Sequence, residues 1–203
     1  MRNKWIKLLP VALLITFALT RWPGLLPPNF SAAYALAFCA GVYFPGRIAW
    51  PAALGILFLT NLLLNIFYYR VQAFNAYALI TLGAFGAIIG LGQIFGRQSS
   101  WLKLVGGGML GAVLFYLITN SAAWIYEPTQ PYPKTLAGWI QALTAGTAGW
   151  PETWTFFRNT LLSGGMFTAL FAGTMKLSAT LEEQESGKPE ENSEDQPADE
   201  ARA

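Results

Sequence analysis

Long apolar blocks separated by short polar connections dominate the first 180 residues of the chain. Several blocks approach the roughly 20 residues that an α-helix needs to cross a hydrocarbon layer about 30 Å thick, whereas the first two are shorter and resemble buried helices of soluble proteins. The predicted spans are residues 5–19, 30–44, 49–69, 76–95, 105–124 and 157–175. The pattern therefore predicts an all-α integral membrane bundle of six transmembrane helices, forming one domain over residues 1–180.

The connection between the fifth and sixth predicted spans is too long for a simple turn. It begins with several prolines and continues with four apolar residues at helical spacing, Leu136, Trp139, Ile140 and Leu143. This pattern predicts a short external amphipathic helix, with Thr135 as its amino-terminal cap. Such a helix could lie in the membrane interface as an anchor, or it could cover a pocket as a lid.

Acidic residues are distributed very unevenly along the chain. The first 126 residues contain no Asp or Glu, and nine of the eleven acids follow residue 181. Residues 181–203 contain too few apolar side chains to offset the entropy lost on folding, so we predict a disordered acidic cytoplasmic tail. Its role could be solubility, or docking to a basic partner.

Basic residues indicate the orientation of the six predicted spans. With a cytoplasmic amino terminus, the inner set is Arg2, Lys4, Lys7, Arg47, Arg97, Lys103, Lys176, Lys188 and Arg202, and the outer set is Arg21, Arg70, Lys134 and Arg158. The excess inside obeys the positive-inside rule, which predicts a multi-pass membrane protein with both termini cytoplasmic. The first span also resembles a signal peptide, but no clean cleavage site follows it, so we expect it to be retained.

Missing residue types exclude several kinds of chemistry. The chain has no His, which excludes Ser-His-Asp catalysis and His zinc sites, and it has no phosphate-binding loop of the Walker type. The predicted spans contain no Asp or Glu of the kind that carries coupled ions in transporters. We expect neither an enzyme, nor a cofactor or metal site, nor a nucleic-acid partner. Any ATP-driven work would require separate ATPase subunits.

Small residues recur at four-residue spacing in most of the spans. The rows are Ala33, Ala37 and Gly41; Gly86 and Gly90; Gly107 and Gly111; and Gly165, Ala169 and Gly173. Such rows let helix backbones approach closely in lipid. They could serve packing inside the bundle, or they could form a docking face for another membrane protein.

Polar residues concentrate in the predicted outer half of the bundle. The six that we predict to bind a small molecule are Asn29, Asn65, Asn120, Trp124, Arg158 and Asn159. Asn side chains offer donors and acceptors, Trp a stacking surface, and Arg a partner for an anionic group. The alternative is that these residues only link helices or anchor the interface.

Five stretches in a fixed order carry a family resemblance. They are PPNFSAAYALAF (27–38), TNLLLN (60–65), FYLITNSAAW (115–124), YPKTLAGW (132–139) and FFRNTLL (156–162). Together they resemble an uncharacterised family of bacterial multi-pass membrane proteins. That family is similar to the substrate-binding S components of energy-coupling-factor transporters.

The resemblance implies a six-helix protein of the bacterial inner (plasma) membrane that binds a vitamin or metal from outside. It also implies two kinds of partner, a transmembrane coupling protein and ATPase subunits. S components commonly dock through small residues in their first helix, where this chain offers only Ala12 and Thr16, although Ala33, Ala37 and Gly41 could substitute. The competing hypothesis is a membrane scaffold or assembly subunit without transport activity.

Overall fold

The computed structural model describes residues 15–44, 46–72, 76–126 and 132–186, and its regular elements are helices. They are α1 (15–20), α2 (Ala33–Tyr43), α3 (Gly46–Leu63) with a π-helical continuation (Leu64–Tyr69), α4 (Ala76–Ile94), α5 (Trp101–Tyr126), α6 (Leu136–Leu143) and α7 (Thr153–Ser186). Strands are absent from these ranges. The all-α prediction is therefore confirmed.

Three helical stretches are long and apolar enough to cross a membrane. They are Trp50–Tyr69, Ala76–Ile94 and Trp101–Tyr126, which correspond to the predicted third, fourth and fifth spans. The predicted sixth span lies within α7, whose Ser, Thr and Gly content makes it less apolar, and α7 is not among the three. Most of the predicted first span lies outside the described residues.

The shorter apolar helix α2 occupies the centre of the bundle. All of its residues are buried, and it contacts α3, α4, α5 and α7. Its eleven residues span about 16 Å, roughly half of a hydrocarbon layer. The predicted second span, 30–44, is thus a short central helix, because the chain before residue 33 follows a non-helical path through Pro27, Pro28 and Asn29. Asn29 has a φ of 62°, in the left-handed region that helices exclude.

Neighbouring long helices run in opposite directions. The rings of Tyr116 and Phe157 lie 4.7 Å apart at one end of the α5–α7 pair. At the other end, Trp101 Nε1 donates a hydrogen bond to Ala169 O at 3.0 Å. The amino-terminal end of α7 therefore lies beside the carboxyl end of α5.

Two glycines allow α2 and α4 to cross at backbone contact. A Cβ added to Gly41 would lie 2.2 Å from Ile89 O, and one added to Gly92 would lie 2.2 Å from Phe38 O. Neither position has space for a methyl group. The small side chains of α2 therefore set the separation of these two helices, as expected of small-residue contacts in membranes.

Two further glycine contacts, at Gly108 and Gly164, also lie inside the bundle. A Cβ on Gly108 would lie 2.1 Å from Thr168 Oγ1, and one on Gly164 would lie 2.7 Å from Ala112 Cβ. Ala33 and Ala37 are completely buried. Since α2 is enclosed by other helices, the hypothesis that its small residues replace an S-component docking face is wrong.

The predicted short amphipathic helix is confirmed as α6. Thr135 is its amino-terminal cap, and its Oγ1 accepts a hydrogen bond from the Gly138 N–H at 3.2 Å. Gly138 is buried against the bundle, whereas Leu136 and Ile140 are exposed. Trp139 Nε1 donates to Ser121 Oγ at 2.9 Å, which fixes α6 to α5.

The carboxyl-terminal helix extends past the predicted domain boundary. Residues 181–186, predicted to begin the disordered tail, form the last turns of α7. This part of the tail prediction is wrong, and the physical reason is that Leu181, Glu182 and Glu183 are good helix formers continuing an existing helix. Residues 187–203 lie outside the described residues.

Candidate ligand-binding cavity

A cavity of about 920 Å³ lies at the end of the bundle where α2 begins. Its walls come from the loop before α2, the carboxyl ends of α3 and α5, and the amino-terminal ends of α4 and α7. Exposed side chains such as Trp22, Tyr69 and Trp150 line it near the surface. Its volume is in the range of small-molecule binding sites.

The shortness of α2 accounts for the position of the cavity. Ser31 and Tyr34, at the beginning of α2, line its inner part. Beyond them no helix continues along the bundle axis, because residues 21–32 form a loop. Thr20 Oγ1 accepts a hydrogen bond from the Ala32 N–H at 3.1 Å, which holds this loop against the end of α1.

Three of the six predicted binding residues line the cavity: Asn29, Asn65 and Asn120. Asn120 Nδ2 donates to Tyr116 O, in its own helix, at 2.9 Å. The Asn29 carbonyl accepts from the Tyr34 hydroxyl at 3.3 Å. Three amides from distant parts of the chain therefore border one space, as the sequence predicts.

A π-helical segment at the end of α3 places Asn65 in the cavity wall. Its carbonyl accepts hydrogen bonds from the N–H groups of Arg70 and Val71, the latter at 3.0 Å. Such wide turns are frequent at functional sites because they displace side chains from regular helical positions. Asn61, one turn earlier, lines the cavity too, which confirms that the two amides share a face.

The remaining three predicted residues lie outside the cavity lining. Trp124 Nε1 donates to Pro133 O at 2.9 Å. The exposed Arg158 guanidinium lies 5.6 Å from the centre of the Trp154 ring. Asn159 is buried, and its Nδ2 donates to Pro28 O at 3.0 Å. Asn159 thus positions the loop that carries Asn29, and its side chain does not face the cavity.

Arg21 is a cavity residue that sequence reasoning missed. It is the single charged residue among the described residues that line the cavity. Its Nη2 donates a hydrogen bond to Asn61 Oδ1, while its buried Nε has no hydrogen-bond partner among the described residues. Desolvation lowers the pKa of Arg21, an effect that Tyr34 and Tyr69 partly offset. A guanidinium nevertheless stays protonated in proteins.

Aromatic rings form much of the remaining wall. Tyr34 and Phe115 pack edge to face with ring centres 5.0 Å apart, and Phe85 lies 4.8 Å from Phe115. Tyr68 and Tyr69 add two more rings, packed edge to face at 5.0 Å. Ring faces, amides and one cation suit a ligand with a planar apolar part and a few polar groups.

The segment that contains α6 contributes to the cavity in a way that differs from a simple lid. No residue of α6 is among the described lining residues, whereas Gly146, Thr147, Trp150 and Thr153 are. Gly146 has a φ of 73°, and an added Cβ would lie 2.7 Å from Thr153 Oγ1. The loop after α6 therefore forms the wall, and α6 packs beside it.

Comparison with known proteins identifies a family without identifying a ligand. A family of unknown function, DUF6580, matches residues 2–186, which include every described helix and the whole cavity lining. No curated protein matches the chain. The described residues contain no group of three His, Cys, Asp or Glu side chains that could hold a metal ion.

Proposed function

We propose a function for this protein on the basis of its cavity. The chain belongs to DUF6580, a family of unknown function. The protein binds a small molecule in this cavity and acts as the substrate-binding subunit of an uptake system. Separate ATPase subunits and a transmembrane coupling protein supply the energy, as in transporters with S components. The observation that carries the proposal is the 920 Å³ cavity with Asn29, Asn65 and Asn120 in its wall.

We further propose that the bundle crosses the inner membrane six times, with both termini in the cytoplasm and the cavity open to the outside. The alternating direction of the long helices supports this topology. Arg70 and Arg158 adjoin the cavity end, at the end of α3 and near the start of α7, whereas Arg47 and Lys103 lie at the opposite ends of α3 and α5. The larger basic group of the chain is thereby assigned to the cytoplasm.

Cysteine labelling tests this topology. In a Cys39→Ala background, a membrane-impermeant maleimide should label Trp150→Cys in intact cells, because Trp150 is 66% exposed at the cavity end. Gln98→Cys, exposed in the turn between α4 and α5, should react only after permeabilisation. Labelling of Gln98→Cys alone in intact cells would show the opposite orientation.

A membrane scaffold remains the second candidate function, and the exposed apolar side chains of the helices are compatible with a protein partner. The small-residue contacts of Gly41, Gly92, Gly108 and Gly164 favour the binding protein, because they are used inside the bundle. A scaffold also has no need for a polar cavity of this size.

Spent-medium analysis distinguishes the two functions. Host cells with and without the gene are grown in the same complex medium, and the compounds left in it are measured by mass spectrometry. We expect at least one small molecule to be removed by the wild type and to remain with the deletion strain. Identical media, together with loss of a membrane complex in the deletion strain, would replace the transport proposal by the scaffold.

A further inference from the structure

We propose that the ligand carries a negatively charged group, a carboxylate or a phosphate, which binds the guanidinium of Arg21. This inference rests on the proposed function, because it assigns the chemical class of the molecule that occupies the cavity. It places the main charged contact at Arg21, at the inner side of the loop that precedes α2, instead of at Arg158.

The first argument is that the charge of Arg21 has no counterion in the described structure. The side chain is largely buried, and its hydrogen-bond partner among the described residues, Asn61 Oδ1, is a neutral acceptor. No Asp or Glu is among the described lining residues. Glu152, between the lining residues Pro151 and Thr153, is exposed, and its carboxylate accepts a hydrogen bond from Trp154 Nε1. A buried cation without a counterion is costly, so an anion in the cavity would stabilise the charge of Arg21.

The second argument is the geometry of the guanidinium. Asn61 binds Nη2, which fixes the rotation of the planar group, while Nε is buried and unpartnered. A guanidinium presents several N–H donors in a rigid fork that matches the oxygens of a carboxylate or phosphate. Arg21 is therefore oriented before the ligand arrives, and the terminal N–H groups that Asn61 does not bind can donate to an oxygen of a ligand in the cavity that Arg21 lines.

The third argument is the rest of the cavity wall. The amino-terminal end of α2 lies at the inner side, where the partial positive charge of a helix favours an anion. Asn65 and Asn120 can bond neutral polar groups of the same molecule, and the Tyr34 and Phe115 rings can pack against its apolar part. These features describe a small organic anion better than an inorganic ion, which would leave most of the volume unused.

The test uses the full-length protein in detergent and two pools of small molecules from the host cell. A cell extract is first filtered to keep molecules smaller than about 1 kDa, the size range of small ligands. Anion-exchange chromatography then divides it into an anionic pool and a non-anionic pool. Native mass spectrometry then records which compounds the protein retains. We expect a retained compound from the anionic pool, and a loss of about tenfold or more in its retention by Arg21→Gln.

Two further variants make the result specific. Arg158→Gln removes the same charge from the same end of the bundle, at an exposed position outside the cavity lining, and should retain the compound as the wild type does. Arg21→Lys keeps the charge but loses the fork, so its retention should fall between wild type and Arg21→Gln. It also supplies the comparison if Arg21→Gln does not fold.

The outcomes separate this inference from the proposed function. A retained compound that comes from the non-anionic pool, or one that Arg21→Gln and Arg21→Lys hold as well as the wild type, would overturn the anion assignment and leave a binding protein. If the wild type retained nothing from either pool, the anion assignment and the proposed binding function would both be overturned.

Discussion

The Gly92→Ala variant should unfold several degrees below the wild type. The added methyl carbon would lie 2.2 Å from Phe38 O, which belongs to the backbone of the buried helix α2 and cannot move aside as a flexible side chain would. Overpacking of this kind costs about 1–3 kcal/mol of unfolding free energy. Thermal unfolding of the purified protein in detergent measures the change.

Gly83 provides the matched control, because it lies in the same helix. A Cβ on Gly83 meets nothing within 4 Å, so Gly83→Ala should leave the unfolding midpoint unchanged or raise it slightly through better helix propensity. If both variants unfolded at the wild-type temperature, α2 and α4 would not cross at backbone contact.

The Ala78→Trp variant should lose ligand retention while staying folded. Ala78 is half-buried in α4 and lines the cavity, so an indole at this position would occupy space that the ligand needs. Retention should fall by more than about tenfold, since the ligand would have to displace the ring. Native mass spectrometry measures retention, and thermal unfolding checks that the bundle is intact.

The next residue supplies the control for this prediction. Leu79 is 66% exposed and does not line the cavity, so Leu79→Trp places the same ring outside the binding site. It should retain the ligand as the wild type does. Equal loss in both variants would indicate a general disturbance of α4 and would contradict the assignment of the site to the cavity.

The parts of the fold that sequence predicts well are those with a local physical cause. Ala76–Ile94 and Trp101–Tyr126 are continuous apolar runs of transmembrane length, so their helices follow from composition alone. The short helix α6 follows from its apolar spacing and from the capping side chain of Thr135. In each case the residues that determine the element lie within the element or directly beside it.

The short helix α2 shows where local reasoning stops. Residues 30–44 are as apolar as a membrane span, but the helix begins only at Ala33. The stretch before it is held by distant groups, through the Thr20 hydroxyl on Ala32 and the Asn159 amide on Pro28. These contacts join parts of the chain that sequence spacing does not relate, and they leave room for the cavity.

The site residues divide in the same way. Asn65 and Asn120 are recognisable from sequence because an amide in an apolar run is unusual whatever surrounds it. The sequence alone indicates that Arg21 is an interfacial cation at the end of the first span. Its position in the cavity depends on the hydrogen bond to Asn61, 40 residues away. Two features of the sequence could have indicated the role of Arg21. It is a basic residue shortly before the PPN motif, and the first half of the chain contains no acidic residue that could pair with it.

The most direct test of a ligand-binding cavity is native mass spectrometry of the wild-type protein extracted gently from its own membrane. The account predicts one small molecule for each chain, retained by Leu79→Trp and absent from Ala78→Trp. A wild-type protein that carries only lipid or another subunit, or a small molecule that Ala78→Trp retains equally, would contradict it.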